Sequence, residues 1–134
     1  MYVPFFWEKI FAKQNNTPLK VFNKFQIALK AEDQKTYLQY ITKETRDRYR
    51  DLLSDSEIRE RYLEPLTNVQ ELYTVDCENK LTCERIAVYS YDYNISEPYW
   101  EEIMGKRYLI PSGTQKLEMT FVEIKKGYWQ LNEF

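Results

Sequence analysis

The 134-residue sequence contains no histidine, only three glycines and only two cysteines. Without histidine there is no imidazole general base, no Ser-His-Asp or Cys-His nucleophile system, and little material for a zinc or haem site. Gly105, Gly113 and Gly127 are too few and too scattered for a glycine-rich phosphate loop of the dinucleotide or P-loop type. No apolar run approaches the roughly 20 residues needed to cross a bilayer. The start, Met1-Tyr2-Val3-Pro4, lacks the basic and apolar regions of a signal peptide. No repeat, heptad run or low-complexity tract is present. The net charge of -2 and the pI near 5.3 leave no basic excess to neutralise phosphates, so no nucleic-acid partner is expected. No metal and no cofactor is expected either.

Aromatic side chains are plentiful: 12 tyrosines, 7 phenylalanines and 3 tryptophans. With 43% hydrophobic residues they give enough apolar area for a core, and the length suits a single domain over residues 1–134. Charge is unevenly spread. Residues 1–50 hold ten Lys/Arg against five Asp/Glu, and residues 51–134 hold nine against sixteen. Two readings fit this: a basic face for an anionic surface, or two halves that attract each other.

Residues 4–13 place Phe6, Trp7, Ile10 and Phe11 at helical spacing behind a proline. This reads as a short aromatic helix within residues 1–16, or as a segment close to a membrane anchor. Residues 17–134 then divide by periodicity. Thr17-Pro18 opens a helix with Val21, Phe22, Phe25, Ala28 and Leu29 in one stripe. Asp33 is the expected cap of a second helix burying Tyr37, Leu38 and Ile41. Thr42 is the expected cap of a third, burying Tyr49, Leu52 and Leu53. Ser54 with Glu57 has capping-box spacing for a last helix (Ile58, Tyr62, Leu63) that ends before Pro65. Residues 43–51 alternate in sign, with Glu44 and Arg48 four apart, as on a solvent-facing helix.

From residue 69 the period changes to two. Residues 69–77, 83–93, 116–124 and 128–131 alternate and are rich in β-branched and aromatic residues, and 106–110 can add a short strand to an otherwise irregular stretch. Leu117, Met119 and Phe121 share a face, as do Trp129 and Leu131. Helices first and antiparallel strands afterwards predict an α+β fold, with N-terminal helices packed on a curved antiparallel sheet.

Cys77 and Cys83 flank a turn centred on Lys80. In a hairpin so centred they stand opposite each other at about 4.5 Å between Cα atoms, a separation that a disulfide accepts. A bond here implies an extracytoplasmic location, and reduced thiols a cytoplasmic one; the pairing tips the expectation to the former.

The helix from Thr17, the segment with Phe25, Ala28, Leu29, Asp33, Tyr37 and Leu38, and the ending with Gly127 and Trp129 together resemble the nuclear transport factor 2-like (cystatin-like cone) superfamily, in particular its small envelope-associated members. The resemblance implies a cone or half-barrel with a mouth between helices and sheet. Enzymes of that superfamily place an Asp or a His–Asp pair in the mouth; the His–Asp version has no counterpart here, and no catalytic residue is carried over.

Tyr89, Tyr91 and Tyr93 lie at period two on one strand, and the predicted hairpin register sets Tyr73 on the same face, with Trp100 nearby in sequence. Rings with polar tips suit a partly wet interface or pocket. These five are the candidate binding residues, for a protein partner, a second copy of the chain or an apolar small molecule. The opposite face of the strand carries Ile86 and Val88. The leading expectation is a non-catalytic binding or assembly module using the tyrosine-rich face. A cofactor-free isomerase or cyclase with a carboxylate base, drawn from Asp92, Glu97, Glu101 or Glu102, is the second reading. A small inhibitor or immunity-like protein with both thiols free is the third.

Overall fold

The computed structural model describes residues 17–134. The expected helix over residues 4–13, with its anchor alternative, lies outside the described residues. Helix α1 (Pro18–Lys30) begins at Thr17, whose hydroxyl accepts from the Lys20 amide, and buries the predicted stripe of Val21, Phe22, Phe25, Ala28 and Leu29. Helix α2 (Gln34–Gln39) starts at Asp33, which accepts from the Thr36 amide, and buries Tyr37 and Leu38; Ile41 follows, fully buried.

Helix α3 (Arg46–Leu53) and helix α4 (Ser56–Leu63) start later than their expected caps. The Thr42 hydroxyl is engaged elsewhere, with the Thr45 hydroxyl at 2.9 Å and the Asn132 side chain at 2.8 Å, so Thr45 stands at the N-cap. For α4 the cap is Asp55, not Ser54: its carboxylate accepts from the Glu57 and Ile58 amides at 2.9 and 3.5 Å, while the Ser54 hydroxyl donates to the Asp51 carbonyl. Leu52, expected in the core, is 37% exposed. Arg48 pairs with Glu133 at 3.6 Å on the last strand.

The chain continues as β1 (Thr67–Asp76), β2 (Arg85–Ile95), β3 (Tyr99–Ile103), β4 (Lys106–Ile110), β5 (Gly113–Lys125) and β6 (Tyr128–Glu133). Four strands form an antiparallel sheet in the order β1-β2-β5-β6, and β3 pairs with β4 in a separate hairpin. The stretch expected to be irregular is therefore mostly strand. Its hairpin closes through Met104 and Gly105, at φ 52° and 77°, the mirror-image turn that follows strand twist. The fold is α+β, with four helices among the described residues against the four-stranded sheet.

The β1–β2 register matches expectation at Gln70 and Glu71 and departs from it by one residue from Tyr73 to Asp76. Asp76 faces Arg85, Thr74 faces Ala87 and Tyr73 faces Val88. The cysteines sit in the turn beyond the strand ends, where the Cys77 amide donates to the Glu84 carbonyl; they are disulfide-bonded, with Cα atoms 5.9 Å apart. A one-residue displacement turns each side chain to the other face. Tyr73 therefore lies opposite in direction to the tyrosines of β2. A bulge at Leu72, between Glu71 and Tyr73, restores the alternation beyond it, where Glu71 faces Tyr89.

The core lies between the helices and one face of the sheet. Ala87, Tyr91, Met119, Phe121, Trp129 and Leu131 supply the sheet side, and the stripe of α1 with Tyr37, Ile41, Tyr49 and Leu53 the helical side. Each large apolar side chain buried here contributes about 1.5–3 kcal/mol of transfer free energy. The α2–α3 connection lies along β6: the Thr42 amide donates to Leu131, and the Leu131 amide to Tyr40, at 2.9 and 2.7 Å. That pairing covers backbone groups an edge strand otherwise leaves open. Among the described residues no helix is long and apolar enough to cross a membrane.

Candidate functional site

Helix α4 is the one helix described here with no fully buried residue; Ile58, Tyr62 and Leu63 are only half-buried. Its carboxyl end is tied to α1, because the Gln26 side chain donates to the carbonyls of Tyr62 and Glu64 at 3.0 and 3.2 Å. Its amino end is tied to α3 by Arg59, which donates to the carbonyls of Leu53 and Ser54 and meets Glu32 at 3.0 Å. Held at both ends, α4 spans the end of the sheet without packing flush on it. A cavity of about 560 Å³ remains between them.

Its apolar lining comes from Phe22 on α1, Leu52 on α3, Ile58 on α4, Leu66, Leu117 on β5 and Phe134. Four tyrosines add polar tips: Tyr62 from α4, Tyr91 and Tyr93 from β2, and Tyr99 from β3. The charged lining residues are Arg61, Glu64, Asp92 and Glu101; Arg61, Glu64 and Glu101 are exposed and Asp92 is half-buried. Asp92 accepts from the Asn68 side chain at 3.1 Å, and the Arg61 guanidinium lies 4.9 Å from the centre of the Tyr99 ring. That contact joins the β3–β4 hairpin to α4 across the opening.

Burial sets the electrostatics of the phenols. Tyr91 is 5% exposed; desolvation first, then the neighbouring Tyr62, Tyr49 and Tyr93 hydroxyls, push it up to about 12. Tyr62 is raised by burial and by Tyr49, against the opposing pull of Arg48 and Arg61. Tyr93 is raised by burial and then by Glu64, whose effect exceeds the lowering by Arg61. All three are neutral hydrogen-bonding groups at neutral pH.

Of the five candidate binding residues, Tyr91 and Tyr93 line the cavity. Tyr89 shares their face and packs edge-on against Phe121, with ring centres 5.7 Å apart, and its phenol is raised by burial and by Glu71. Tyr73 is on the other face, 52% exposed. Trp100 is 59% exposed on β3, with the Arg107 guanidinium 4.9 Å from its ring. The sequence reading missed Phe134, Tyr62, Arg61 and Glu64 as site residues. Tyr62 was legible as an inward helix position; Phe134, after the last strand, carries no periodic signal.

The buried carboxylate lies elsewhere. Glu123, 2% exposed, accepts from Arg85 at 2.8 and 3.0 Å and from the Gly127 amide at 2.9 Å. The Arg85 hydrogen bond is the largest cause holding its carboxyl below the usual range, and the Gly127 amide adds to it. It is absent from the cavity lining. Among the described residues no group of His, Cys, Asp or Glu is arranged to hold a metal ion. No protein-family model, no curated protein and no solved structure matches the chain.

Proposed function

We propose that the chain is a non-catalytic binding module that takes a small molecule with an apolar body into the cavity between α4 and the sheet. The observation that carries this is the half-open cavity itself: about 560 Å³, inside the usual range for ligand pockets of about 300–1,000 Å³, walled by aliphatic and aromatic groups with tyrosine hydroxyls among them. The helix-first order, the antiparallel sheet and a cavity between the two also support kinship with the nuclear transport factor 2-like superfamily, in which such a mouth is the binding place.

The other readings draw less support. A carboxylate base in an apolar pocket needs a buried acid there, whereas Glu64 and Glu101 are exposed, the Asp92 side chain turns to the other face of β2 and accepts from Asn68, and Glu123 is committed to Arg85. A protein interface made by the tyrosine face of β2 needs that face outward, whereas Tyr91 belongs to the core shared with the helices. An inhibitor with free thiols sits poorly with the bonded cysteines.

The test uses N-phenylnaphthylamine, a neutral probe that fluoresces in apolar surroundings. Wild-type protein is expected to bind it at one site. Leu117→Trp, at a half-buried wall position, is expected to weaken binding by at least about tenfold, or ~1.4 kcal/mol, with thermal unfolding little changed. No binding by wild type, or equal binding by the variant, overturns the proposal.

A further inference from the structure

We infer that the ligand of this cavity is a small organic cation, an ammonium group carried on an apolar body; the inference rests on the binding reading above. Six rings line the space: Phe22, Tyr62, Tyr91, Tyr93, Tyr99 and Phe134. The face of an aromatic ring carries negative quadrupole density, so a ring-walled space favours a cation over a neutral group of the same shape, and more so as water is excluded. The formal charges point the same way. Two carboxylates, Glu64 and Glu101, stand in the lining against one cation, Arg61, while the Asp92 side chain alternates to the other face of β2 and accepts from Asn68.

Arg61 is itself evidence for the preference. Its guanidinium rests 4.9 Å from the centre of the Tyr99 ring, so the opening already holds one cation on an aromatic face. At the Tyr93 phenol, burial is the largest cause of the raised pKa, and Glu64 raises it more than Arg61 lowers it. An anionic ligand meets the opposite conditions: two carboxylates, aromatic walls, and an arginine already engaged on Tyr99. A neutral ligand gains only the apolar walls.

Three probes on one apolar body separate these cases: adamantylammonium, adamantanol and adamantanecarboxylate, each competing with N-phenylnaphthylamine on wild-type protein. The ammonium is expected to bind roughly five- to tenfold more tightly than the alcohol, with the carboxylate weakest. Added salt should weaken the ammonium and leave the alcohol unmoved. The double variant Glu64→Gln, Glu101→Gln, at two exposed positions, should bring the ammonium close to the alcohol. Equal binding of alcohol and ammonium overturns the cation inference and leaves the cavity reading standing. Tightest binding by the carboxylate overturns it too. Failure of all three probes, together with N-phenylnaphthylamine, overturns both.

Discussion

Glu123 has almost no contact with water, yet it stays charged because three N–H groups, two from Arg85 and one from Gly127, point at its two oxygens. Gly127 can offer its amide because the turn places it at φ 78°, a conformation that costs glycine little. Glu123→Gln keeps the shape and removes the charge, and is expected to destabilise the fold by about 1–3 kcal/mol at neutral pH in urea unfolding. The low end is expected, since the Arg85 side chain is 47% exposed and its charge is partly screened. The pH dependence has a fixed sign. Because the folded-state pKa is lowered, the contribution is complete above the ordinary carboxylate range and disappears as pH falls through the lowered value. The gap between wild type and variant should therefore close in acid; a gap that widens there contradicts the assignment. Nothing in the alternation of β5 marks this residue as ionic. Its partners come from β2 and from the β5–β6 turn, so only the assembled sheet reveals them.

Elements were legible in the sequence where one periodic stripe meets one core. The α1 stripe, the inward Tyr37, Leu38 and Ile41, and the alternation of Leu117, Met119 and Phe121 all read directly from spacing. Single-residue choices between competing caps and registers did not. Thr42 is drawn away from its helix by Asn132, ninety residues later. Ser54 yields to the adjacent Asp55, and the β1–β2 register slips because the turn 77–84 takes both cysteines out of the ladder. The cap has consequences for the site, since α4 carries Arg61 and Tyr62 and has little burial of its own to hold it. Asp55→Ala is expected to cost about 1 kcal/mol in thermal unfolding and to weaken N-phenylnaphthylamine binding. Ser54→Ala, which removes no cap, should leave binding unchanged. Equal effects of the two would show that Asp55 does not hold α4.

At the scale of the whole molecule, cavity and core meet at Phe134. Its ring lies edge-on to Phe22 and Phe25 of α1 and to Tyr62 of α4, and stacks on Tyr49 of α3, with ring centres 4.4–5.5 Å apart. Its backbone exchanges hydrogen bonds with the Tyr49 hydroxyl at 3.0 and 3.3 Å. One side chain beyond the last strand thus ties three helices together and forms part of the cavity wall. Its loss should act on both. Phe134→Ala is expected to destabilise the fold by roughly 2–4 kcal/mol, from the transfer and cavity terms of a large side chain that is only half-buried. The same change enlarges the cavity that Leu117 also lines, so it should restore N-phenylnaphthylamine binding to the Leu117→Trp protein, whose added ring then has room to move aside. Recovery in the double variant, measured at a temperature where it remains folded, identifies both residues as walls of one space. If binding stays lost although the double variant is folded, the two positions border different spaces, and the continuity of core and cavity argued from the ring contacts is wrong.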